Sequence, residues 1–373
     1  MKNVFLPTGS GSILGEHYLP SRTDEIRWGW LPTASSRPVL LIASGETVTV
    51  DTVSHEGLLE DQGRDPVGYL SQFGVAHDRV LDDVIDIAAS GIGHGDEAGP
   101  HVVTGPIGVT GASPGDVLKI DVLDLALRAP YGFISNRHGF GALAGEFPED
   151  RESLATRGVD TIITDGSVSH FAWVEERSGL LHGVIRAGAD RTLSFPLHPF
   201  LGLMGVASGS DEPKNSVPPG DFGGNIDIKH VEAGSTLYLP VESPDALFYT
   251  GDPHFAQGNG EVALTAFEAP LRATLRLTVL SGQEARHASG GLRVPVAETA
   301  SHWIPTGMDV DLNVAMKNAV RNAVAFLETR FGVPRSVALA YLSAAGDFEV
   351  SQVVDTVKGV HCMIRKEDFA AWA

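Results

Sequence analysis

The sequence VLKIDVLDLAL, residues 117–127, is rich in apolar side chains over a length that suits one β-strand. Segments of the same character lie on both sides of it; they are residues 39–43, 47–53, 236–241, 247–250, 262–268 and 273–280. Turn-forming residues separate these segments, and the chain contains 43 Gly and 22 Pro. This pattern predicts sandwich- or barrel-like subdomains of short strands, and not regular βαβ units.

The C-terminal part of the chain has a different pattern. Residues 309–331 carry apolar side chains at helical spacing, and Gly332 and Pro334 follow as stop signals. A second helix is expected over residues 336–345. The fold class is therefore mainly β with a C-terminal α+β region. Its expected parts are an N-terminal β region (1–140), a central β region carrying the site (141–280) and the α+β region (281–373). Residues 142–158 are the candidate for an irregular insertion or a lid.

Composition excludes several classes of partner. The 373 residues suffice for a large core. The net charge of −20, without any basic run, repels phosphate backbones and argues against a nucleic-acid partner. The single cysteine, Cys362, excludes an intrachain disulfide and suits a reducing compartment. Since no apolar stretch approaches the roughly 20 residues that span a bilayer, we expect a soluble, cytoplasmic protein with no membrane partner.

Residues 251–261, GDPHFAQGNGE, concentrate side chains that bind metals or carry protons. Asn259-Gly260 is typical of a two-residue hairpin turn, because a type I′ turn needs positive φ at both central positions. Since side chains alternate along strands, such a hairpin would place Asp252, His254 and Glu261 on one face.

A flat hairpin would hold these groups too far apart for one metal ion, since four extended residues span about 13 Å. Pro253 cannot donate to a sheet and Gly251 permits unusual φ, so we expect a bend or an edge position here. By itself, an Asp-X-His pair forms structural hydrogen bonds more often than it binds a metal.

Three other segments carry candidate site residues. Asp51 and His55 leave the end of one predicted strand, and Asn225 and Asp227 lie on one face if their segment is extended. A Gly-rich loop holds a further polar cluster, formed by His94, Asp96, Glu97 and His101. A solvated loop is an equally good interpretation of that cluster.

Four ordered motifs resemble the acetamidase/formamidase family over nearly the whole chain. Residues 104–118 resemble the family's TGPIYVEGAEPGDVL, and residues 223–241 resemble its GGNMDIKH and GATLYLPV. Residues 251–262 resemble GDAHAAQGDGEV. Residues 315–321 and 351–355 are similar to the family's closing helix and strand.

The resemblance implies hydrolysis of a small-molecule carboxamide, such as formamide or acetamide, to a carboxylate and ammonia. It also implies a β-rich scaffold that forms homo-oligomers. There are departures from the family pattern: Asp51 stands where the family has Glu, Ser54-His55 replaces an Asp, Pro253 replaces a small residue, and Asn259 replaces an Asp. These departures predict a divergent subgroup and leave the metal stoichiometry open.

Our hypothesis for the site assigns a role to each candidate. A divalent metal, expected to be zinc because the ligands mix imidazole and carboxylate, is bound by Asp51, His55, Asp252 and His254. Glu261 is the general acid/base, with Asp252 and His254 as its catalytic partners. Polar contacts to the metal ligands or the substrate come from Asn225, Asp227 and His101.

Other readings of the sequence compete with this one. Residues 111–115 match G-x-S-x-G, but a strand and not a helix is predicted after Ser113, so we interpret them as a turn. Cys362 beside His361 is more typical of a buried thiol than of a nucleophile. A non-catalytic metal- or ligand-binding β protein, or a hydrolase of another C–N bond, also fits. A structural oligomer subunit would lack a concave polar pocket.

Overall fold

The computed structural model describes residues 4–92, 94, 95, 97–137, 139–149, 161–164 and 166–372. Residues 150–158 of the candidate lid and Asp96 of the polar cluster lie outside the described residues. Within the described part of the chain, 22 strands form three larger sheets and a two-stranded one, and they are labelled β1 to β22 in chain order.

The first sheet has nine strands. Its order is β1 (His17–Leu19), β5 (Thr47–Asp51), β18 (Leu271–Leu280), β7 (Val117–Leu127), β16 (Thr236–Pro240), β19 (Val296–Glu298), β20 (His302–Asp309), β22 (Lys358–Arg365) and β21 (Asp347–Gln352). β1 pairs with β5 in parallel, whereas the other neighbours in this sheet are antiparallel.

The other sheets are smaller. The six-stranded sheet is ordered β15 (Gly223–Asn225), β13 (Phe200–Val206), β17 (Phe248–His254), β6 (Val102–Thr110) and β2 (Ile26–Trp28), with β4 (Leu40–Ala43) also on β6. The five-stranded sheet is ordered β12 (Thr192–Pro196), β11 (Leu180–Arg186), β10 (Ser167–Arg177) and β8 (Tyr131–Arg137), with β9 (Thr161–Thr164) also on β10. β14 (Lys214–Asn215) pairs with β3 (Trp30–Leu31).

One apolar core joins the nine-stranded and six-stranded sheets. It includes Val50 and Leu275 of the first sheet and Ile107, Met204 and Phe248 of the second, all of them buried. Burying such side chains between two sheets is the main favourable term for a sandwich of short strands. The predicted mainly β fold is confirmed.

Five α-helices lie in the described chain. They are α1 (Pro66–Ser71), α2 (Asp82–Ala89), α3 (Gly282–Ala288), α4 (Leu312–Phe331) and α5 (Arg335–Ala345), with 3₁₀ turns at Glu60–Gln62, His77–Arg79 and Lys366–Trp372. Asp311 caps α4 by accepting from two backbone N–H groups, and Gly332 ends it with a φ of 68°. None of the described helices has the length and apolar character that a bilayer-crossing helix requires.

The helices α3 to α5 pack on the C-terminal strands, as the sequence predicts. These strands, β19 to β22, extend the same nine-stranded sheet that holds strands from the N-terminal and central regions. Hydrogen bonds therefore connect all three expected regions, and their division into subdomains stays a prediction.

The hairpin expected at Asn259-Gly260 does not form, and residues 262–268 are not a strand. Beside Gly260, whose φ is 97°, the positive φ falls on Glu261 and not on Asn259, so the conformation of a type I′ turn is absent. Gly260 instead pairs with Gln352 of β21. His254 pairs with Glu268 in an isolated bridge.

The contact between α4 and β20 requires a glycine. A methyl group at Gly307 would lie 2.6 Å from the carbonyl oxygen of Ala315 and 2.6 Å from Cα of Ala319. We expect Gly307→Ala to lower the free energy of unfolding by about 1–3 kcal/mol, since the helix must move away. Denaturant unfolding measures this, with Gly91→Ala as the control because a methyl there meets nothing within 4 Å. Equal losses in the two variants would contradict the close packing.

Candidate functional site

The candidate site starts at the end of β17. Asp252 and His254 project from one face of this strand because side chains alternate, and they are 5% and 0% exposed. β13 and β6 pair with β17 on either side, so the strand is internal and not at an edge. The expected bend is present, since Asp252 has a φ of 50°.

His254 lies at the centre of a group of carboxyl groups. Its Nε2 atom is 3.0 Å from Asp252 Oδ2, 2.9 Å from Glu268 Oε1 and 4.0 Å from Glu261 Oε1. Its Nδ1 atom is 3.9 Å from Asp227 Oδ1. Neither ring nitrogen forms an aligned hydrogen bond with these oxygens. Electrostatic attraction to the neighbouring carboxyl groups therefore contributes more to the position of the imidazole than hydrogen bonds do.

Asp252 also faces two other histidines. Its Oδ1 atom lies 3.7 Å from His101 Nε2. The rings of His101 and His55 meet edge to face with their centroids 5.7 Å apart. One ligand atom from each of His55, His101 and Asp252 lies within 4.8 Å of the others. Asp252 thus belongs to two groups of side chains, one on each of its carboxylate oxygens.

The C-terminal region contributes Asp355. Ligand atoms of Asp227, Glu261 and Asp355 lie within 4.8 Å of one another. The pairing of Gly260 with β21 creates this meeting point: the Gly260 N–H donates to Ser351 O at 3.0 Å, and the Val353 N–H donates to Gly260 O at 3.1 Å. The loop carrying Glu261 is thereby attached to the segment that carries Asp355.

Gly202 of β13 leaves the space that these groups occupy. A methyl group at this position would contact Asp227 Oδ1, and it would lie 2.6 Å from Asp252 Oδ2 and 2.8 Å from His254 Cε1. The backbone N–H groups of Ile226 and Asp227 both donate to Gly202 O at 3.1 Å. The Gly202 carbonyl therefore fixes the backbone of residues 226 and 227, and the missing side chain allows Asp227, Asp252 and His254 to converge.

Three site residues have a strained backbone. Asp227, Asp252 and Glu261 have φ values of 50°, 50° and 47°, in the left-handed region that non-glycine residues seldom adopt. Each such conformation costs on the order of 1–3 kcal/mol and persists only where surrounding structure enforces it. Strain of this kind is concentrated at functional sites, so it supports this location for the site.

Many buried polar atoms of the cluster have no protein hydrogen-bond partner. Among the described residues they include both oxygens of Asp227, both ring nitrogens of His254, Oε2 of Glu268, Oδ2 of Asp355 and Oδ1 of Asn225. A buried polar group without a partner is costly, and buried clusters of this kind are rare outside ligand sites.

Burial and mutual repulsion shift the pKa values of these carboxyl groups in different directions. Burial, followed by the charge of Asp252, raises the pKa of Asp227 to about 7. Burial raises the pKa of Glu268 to about 8. The pKa of Glu261 lies well above its usual value because of burial and then the charges of Asp227 and Asp355. The cluster can therefore hold protons at neutral pH.

Asp252 differs from its neighbours. Burial alone would raise its pKa, but His254 and then His101 outweigh this effect and lower the pKa below the ordinary value. The pKa values of His55 and His101 are lowered, mainly by burial, so both imidazoles are neutral near pH 7 and have a free lone pair. An ionised carboxylate beside two neutral imidazoles is a set of ligands that suits a divalent cation.

A cavity of about 320 Å³ opens onto the site. The polar groups of the site that line it are His55, His101, Asn225, Asp252, Glu261, Glu268 and Asp355. Apolar side chains cover another part of its wall; they are Leu59, Ala98, Pro100, Phe140, Val217, Leu264 and Val354. His254 and Asp227 are not among the described residues that line the cavity, but their ligand atoms lie within 4.8 Å of an oxygen of Asp252, which does line it.

The structure brings together most of the candidate residues, but not Asp51. Asp51 Oδ1 accepts from Arg272 Nε at 2.6 Å, and Oδ2 accepts from Tyr18 Oη at 2.6 Å and from Arg272 Nη2 at 2.9 Å. Arg128 Nη2 also lies 3.6 Å from Asp51 Oδ2. With both oxygens engaged, Asp51 belongs to a buried ion-pair network and to none of the described ligand clusters.

Some residues of the predicted polar loop lie at the site and others lie outside it. His101 enters the site and His94 lines the cavity, where its Nε2 atom lies 2.8 Å from Gly99 O. Glu97 is outside the described ligand clusters.

Sequence reasoning missed Glu268, Asp355 and Gly202. Glu268 was predicted only as the last residue of a strand, and its pairing with His254 was not foreseen. Asp355 lies in the motif of residues 351–355, but no role was assigned to it. Nothing in the sequence around Gly202 indicated that its missing side chain matters.

Two alternative nucleophiles are not placed for catalysis. Ser113 lies in an exposed turn between β6 and β7, and a strand follows it, as predicted. Cys362 is fully buried in the core of the α+β region, and burial raises the pKa of its thiol far above the physiological range. Both predictions from the sequence are confirmed.

Comparison with known proteins identifies relatives over much of the chain. The model of the Acetamidase/Formamidase family matches residues 83–214 and 206–366. A formamidase of Methylophilus methylotrophus is 28% identical over 305 residues, which are 68% of this chain and 73% of the relative. An acetamidase of Mycolicibacterium smegmatis is 29% identical over 203 residues, 43% of this chain and 49% of that protein.

Solved structures agree on the fold. An acetamidase from Bacillus halodurans superposes with a TM-score of 0.71 at 24% identity, over 95% of this chain and 99% of the other. An acetamidase from Yersinia enterocolitica also gives a TM-score of 0.71 at 24% identity, over 98% and 96% of the two chains. At this level of identity the likeness concerns the fold alone.

The contacts of Asp51 predict a structural role for it. We expect Asp51→Asn to lower the free energy of unfolding by about 3–5 kcal/mol, because it leaves the buried Arg272 without its partner charge. Denaturant unfolding measures the effect, with the exposed Asp86→Asn as the control. A stable Asp51→Asn protein that fails to bind metal would instead return Asp51 to the metal site.

Proposed function

The chain belongs to the acetamidase/formamidase family and is thus an amidase, a hydrolase of amide C–N bonds, and we propose that it converts a simple carboxamide to a carboxylate and ammonia with the help of a divalent metal ion. We take the ion to be zinc. The observation that carries this proposal is the set of neutral imidazoles and buried carboxyl groups that meet at Asp252 on the wall of one cavity.

The residues present fit such an ion. His55, His101 and Asp252 line the cavity with ligand atoms within 4.8 Å of one another. Two imidazoles and one carboxylate are a ligand set typical of catalytic zinc, which keeps a further position open for substrate. This assignment replaces Asp51 by His101 and leaves His254 beneath the cavity wall.

When bound, a divalent cation polarises the amide carbonyl and brings the pKa of a water molecule toward about 7. The chain has to supply the proton transfers. An amide resists hydrolysis partly because its nitrogen leaves poorly, so a protonated group is needed to donate to that nitrogen.

We assign this work to Glu261. Its carboxyl group lines the cavity, and its raised pKa lets it hold a proton at neutral pH. Its ionised form can accept a proton from the attacking water, and its raised pKa lets it keep that proton until it is delivered to the leaving nitrogen. Its φ of 47° and the pairing of Gly260 with β21 keep the side chain aimed at this position.

His254 is assigned a positioning role. Its Nε2 atom lies between Asp252 and Glu268, at 3.0 Å and 2.9 Å. A cationic imidazole here keeps Asp252 ionised, although burial would otherwise favour its protonated form. His254 therefore acts on the reaction through Asp252 and without touching the substrate.

The shape of the cavity supports a small amide with an apolar acyl group. The carboxyl groups and histidines lie on one part of the wall, and Leu59, Phe140 and Leu264 lie on another. An amide whose polar end faces Asp252 would direct its acyl group toward these apolar side chains. Cytoplasmic location and assembly into a homo-oligomer stay predictions from the sequence.

A non-catalytic binding protein on the same scaffold is not favoured. Binding alone does not require a carboxyl group such as that of Glu261, which is buried on the cavity wall and has a raised pKa. Raised carboxyl pKa values beside a lowered one are typical of sites that divide acid and base roles between neighbouring groups.

The proton-carrier role of Glu261 predicts a specific loss. We expect Glu261→Gln to lower kcat for ammonia release from acetamide by at least about 100-fold, because general acid/base catalysis contributes that much, while the metal content stays the same. The measurement compares formamide, acetamide and benzamide as substrates and uses the exposed Glu284→Gln as control. Chelation should abolish hydrolysis in the wild type. Hydrolysis that continues in metal-free protein would overturn the metal-assisted mechanism.

The space left by Gly202 predicts a second loss. We expect Gly202→Ala to lower kcat/KM by about 100-fold with little change in the free energy of unfolding, because the methyl displaces the ends of the Asp227 and Asp252 side chains and leaves the sheet intact. Gly258→Ala is the matched control, since a methyl there meets nothing within 4 Å. Unchanged hydrolysis in Gly202→Ala would mean that these carboxylates need not converge.

A further inference from the structure

A second group of metal-binding side chains lies outside the catalytic cluster. His230, Glu349 and His361 place one ligand atom each within 4.8 Å of the others. We propose that these three residues bind a zinc ion, which fixes the loop that carries Glu261. This site shares no residue with the group around Asp252, and its existence does not depend on the proposed reaction.

The two imidazoles converge on one carboxylate oxygen. His230 Nε2 lies 3.1 Å and His361 Nε2 lies 3.5 Å from Glu349 Oε2. The two rings are 5.4 Å apart between centroids and inclined by 73°, so they are not stacked on each other. Two imidazole nitrogens and a carboxylate favour zinc over calcium or magnesium, which prefer oxygen ligands.

His361 supplies the observation that points to a ligand. The residue is fully buried, and its Nδ1 atom lies 2.8 Å from Ser351 Oγ. Its Nε2 atom is also buried, and the contact with Glu349 lacks the alignment of a hydrogen bond. A buried nitrogen without a partner is costly, and a metal ion on its lone pair removes this cost. A hydrogen bond at the other ring nitrogen is the usual way to orient a metal-binding histidine.

One neighbouring positive charge bears on the choice of ion. Lys229 opposes a cation by its charge, so we assign an ion bound through nitrogen and not one held by charge alone.

The site is accessible from solvent and connected to the loop. The side chains of His230 and Glu349 are 25% and 30% exposed, and His230 lines a cavity of about 660 Å³ that Asn259 and Glu261 also line. Asn259 Nδ2 donates to the same Glu349 oxygen. Gln257 Nε2 donates to Ser351 O at 3.1 Å. An ion on Glu349 would therefore immobilise the strand to which residues 257–261 are bonded.

Metal counting on the full chain tests the proposal. Metal-free protein is titrated with zinc, and the bound equivalents are counted for the wild type, His230→Ala and Glu349→Gln. We expect both variants to bind one equivalent fewer than the wild type, or to bind it at least about 100-fold more weakly. His198→Ala is the control, because His198 lines the same cavity and pairs with Glu232 at 3.3 Å outside the cluster. It should match the wild type.

Hydrogen exchange gives an independent measurement. Zinc should slow amide exchange of residues 257–261 in the wild type and in His198→Ala, but not in Glu349→Gln. Glu349→Gln keeps the size of the side chain and an acceptor for Asn259, so it serves as the test if His230→Ala does not fold. Equal zinc stoichiometry and affinity in the wild type and Glu349→Gln would overturn the proposal and leave His230 and Glu349 as a simple hydrogen-bonded pair. All these variants retain Glu261 and Asp252, so the result is separate from whether the protein hydrolyses amides.

Discussion

The repulsion among five carboxyl groups buried around one imidazole is the constraint on which the rest of the site depends. Asp227, Asp252, Glu261, Glu268 and Asp355 all lie in overlapping ligand clusters with little or no access to solvent. Such a group opposes folding, since each ionised carboxylate loses hydration and meets like charges. The cluster persists because the burial of a large apolar core between two sheets outweighs its cost. Bound protons, the charge of His254 and, as we propose, a cation reduce the repulsion among the carboxyl groups.

This constraint explains why the site draws on distant parts of the chain. β17 provides Asp252 and His254, the turn after β15 provides Asp227, and the segment after β21 provides Asp355. No single one of these elements could keep its residue in a strained backbone conformation or close to other carboxyl groups. The pairing of Gly260 with Gln352 and the contact of Gly202 with the turn after β15 bring the elements together through backbone bonds, which do not respond to the charge state of the cluster.

Local patterns predicted the elements well, and long-range contacts account for the errors. The strand at 117–127 has the bounds that its apolar pattern indicated, and α4 ends at Gly332 as its stop signal indicated. The hairpin at Asn259-Gly260 failed because a tertiary pairing with β21 overrides the local turn preference. The contacts of Asp51 were not foreseen because its partners, Arg128 and Arg272, lie far along the chain, and single-sequence spacing carries no information about them. Asp355 and Glu268 were missed for the same reason.

Asp252 has a consequence for how such a site can change over time. Its two carboxylate oxygens face different groups, Oδ1 toward His101 and Oδ2 toward His254, from a backbone with positive φ. A shorter or longer side chain would lose one of these groups, and an amide would present one oxygen instead of two. Variation is therefore easier at His55, which touches one group only, than at Asp252, which joins both. Substitutions at residues that belong to one group only, such as His55, can change metal preference without changing proton transfer. A substitution at Asp252 would change both properties together.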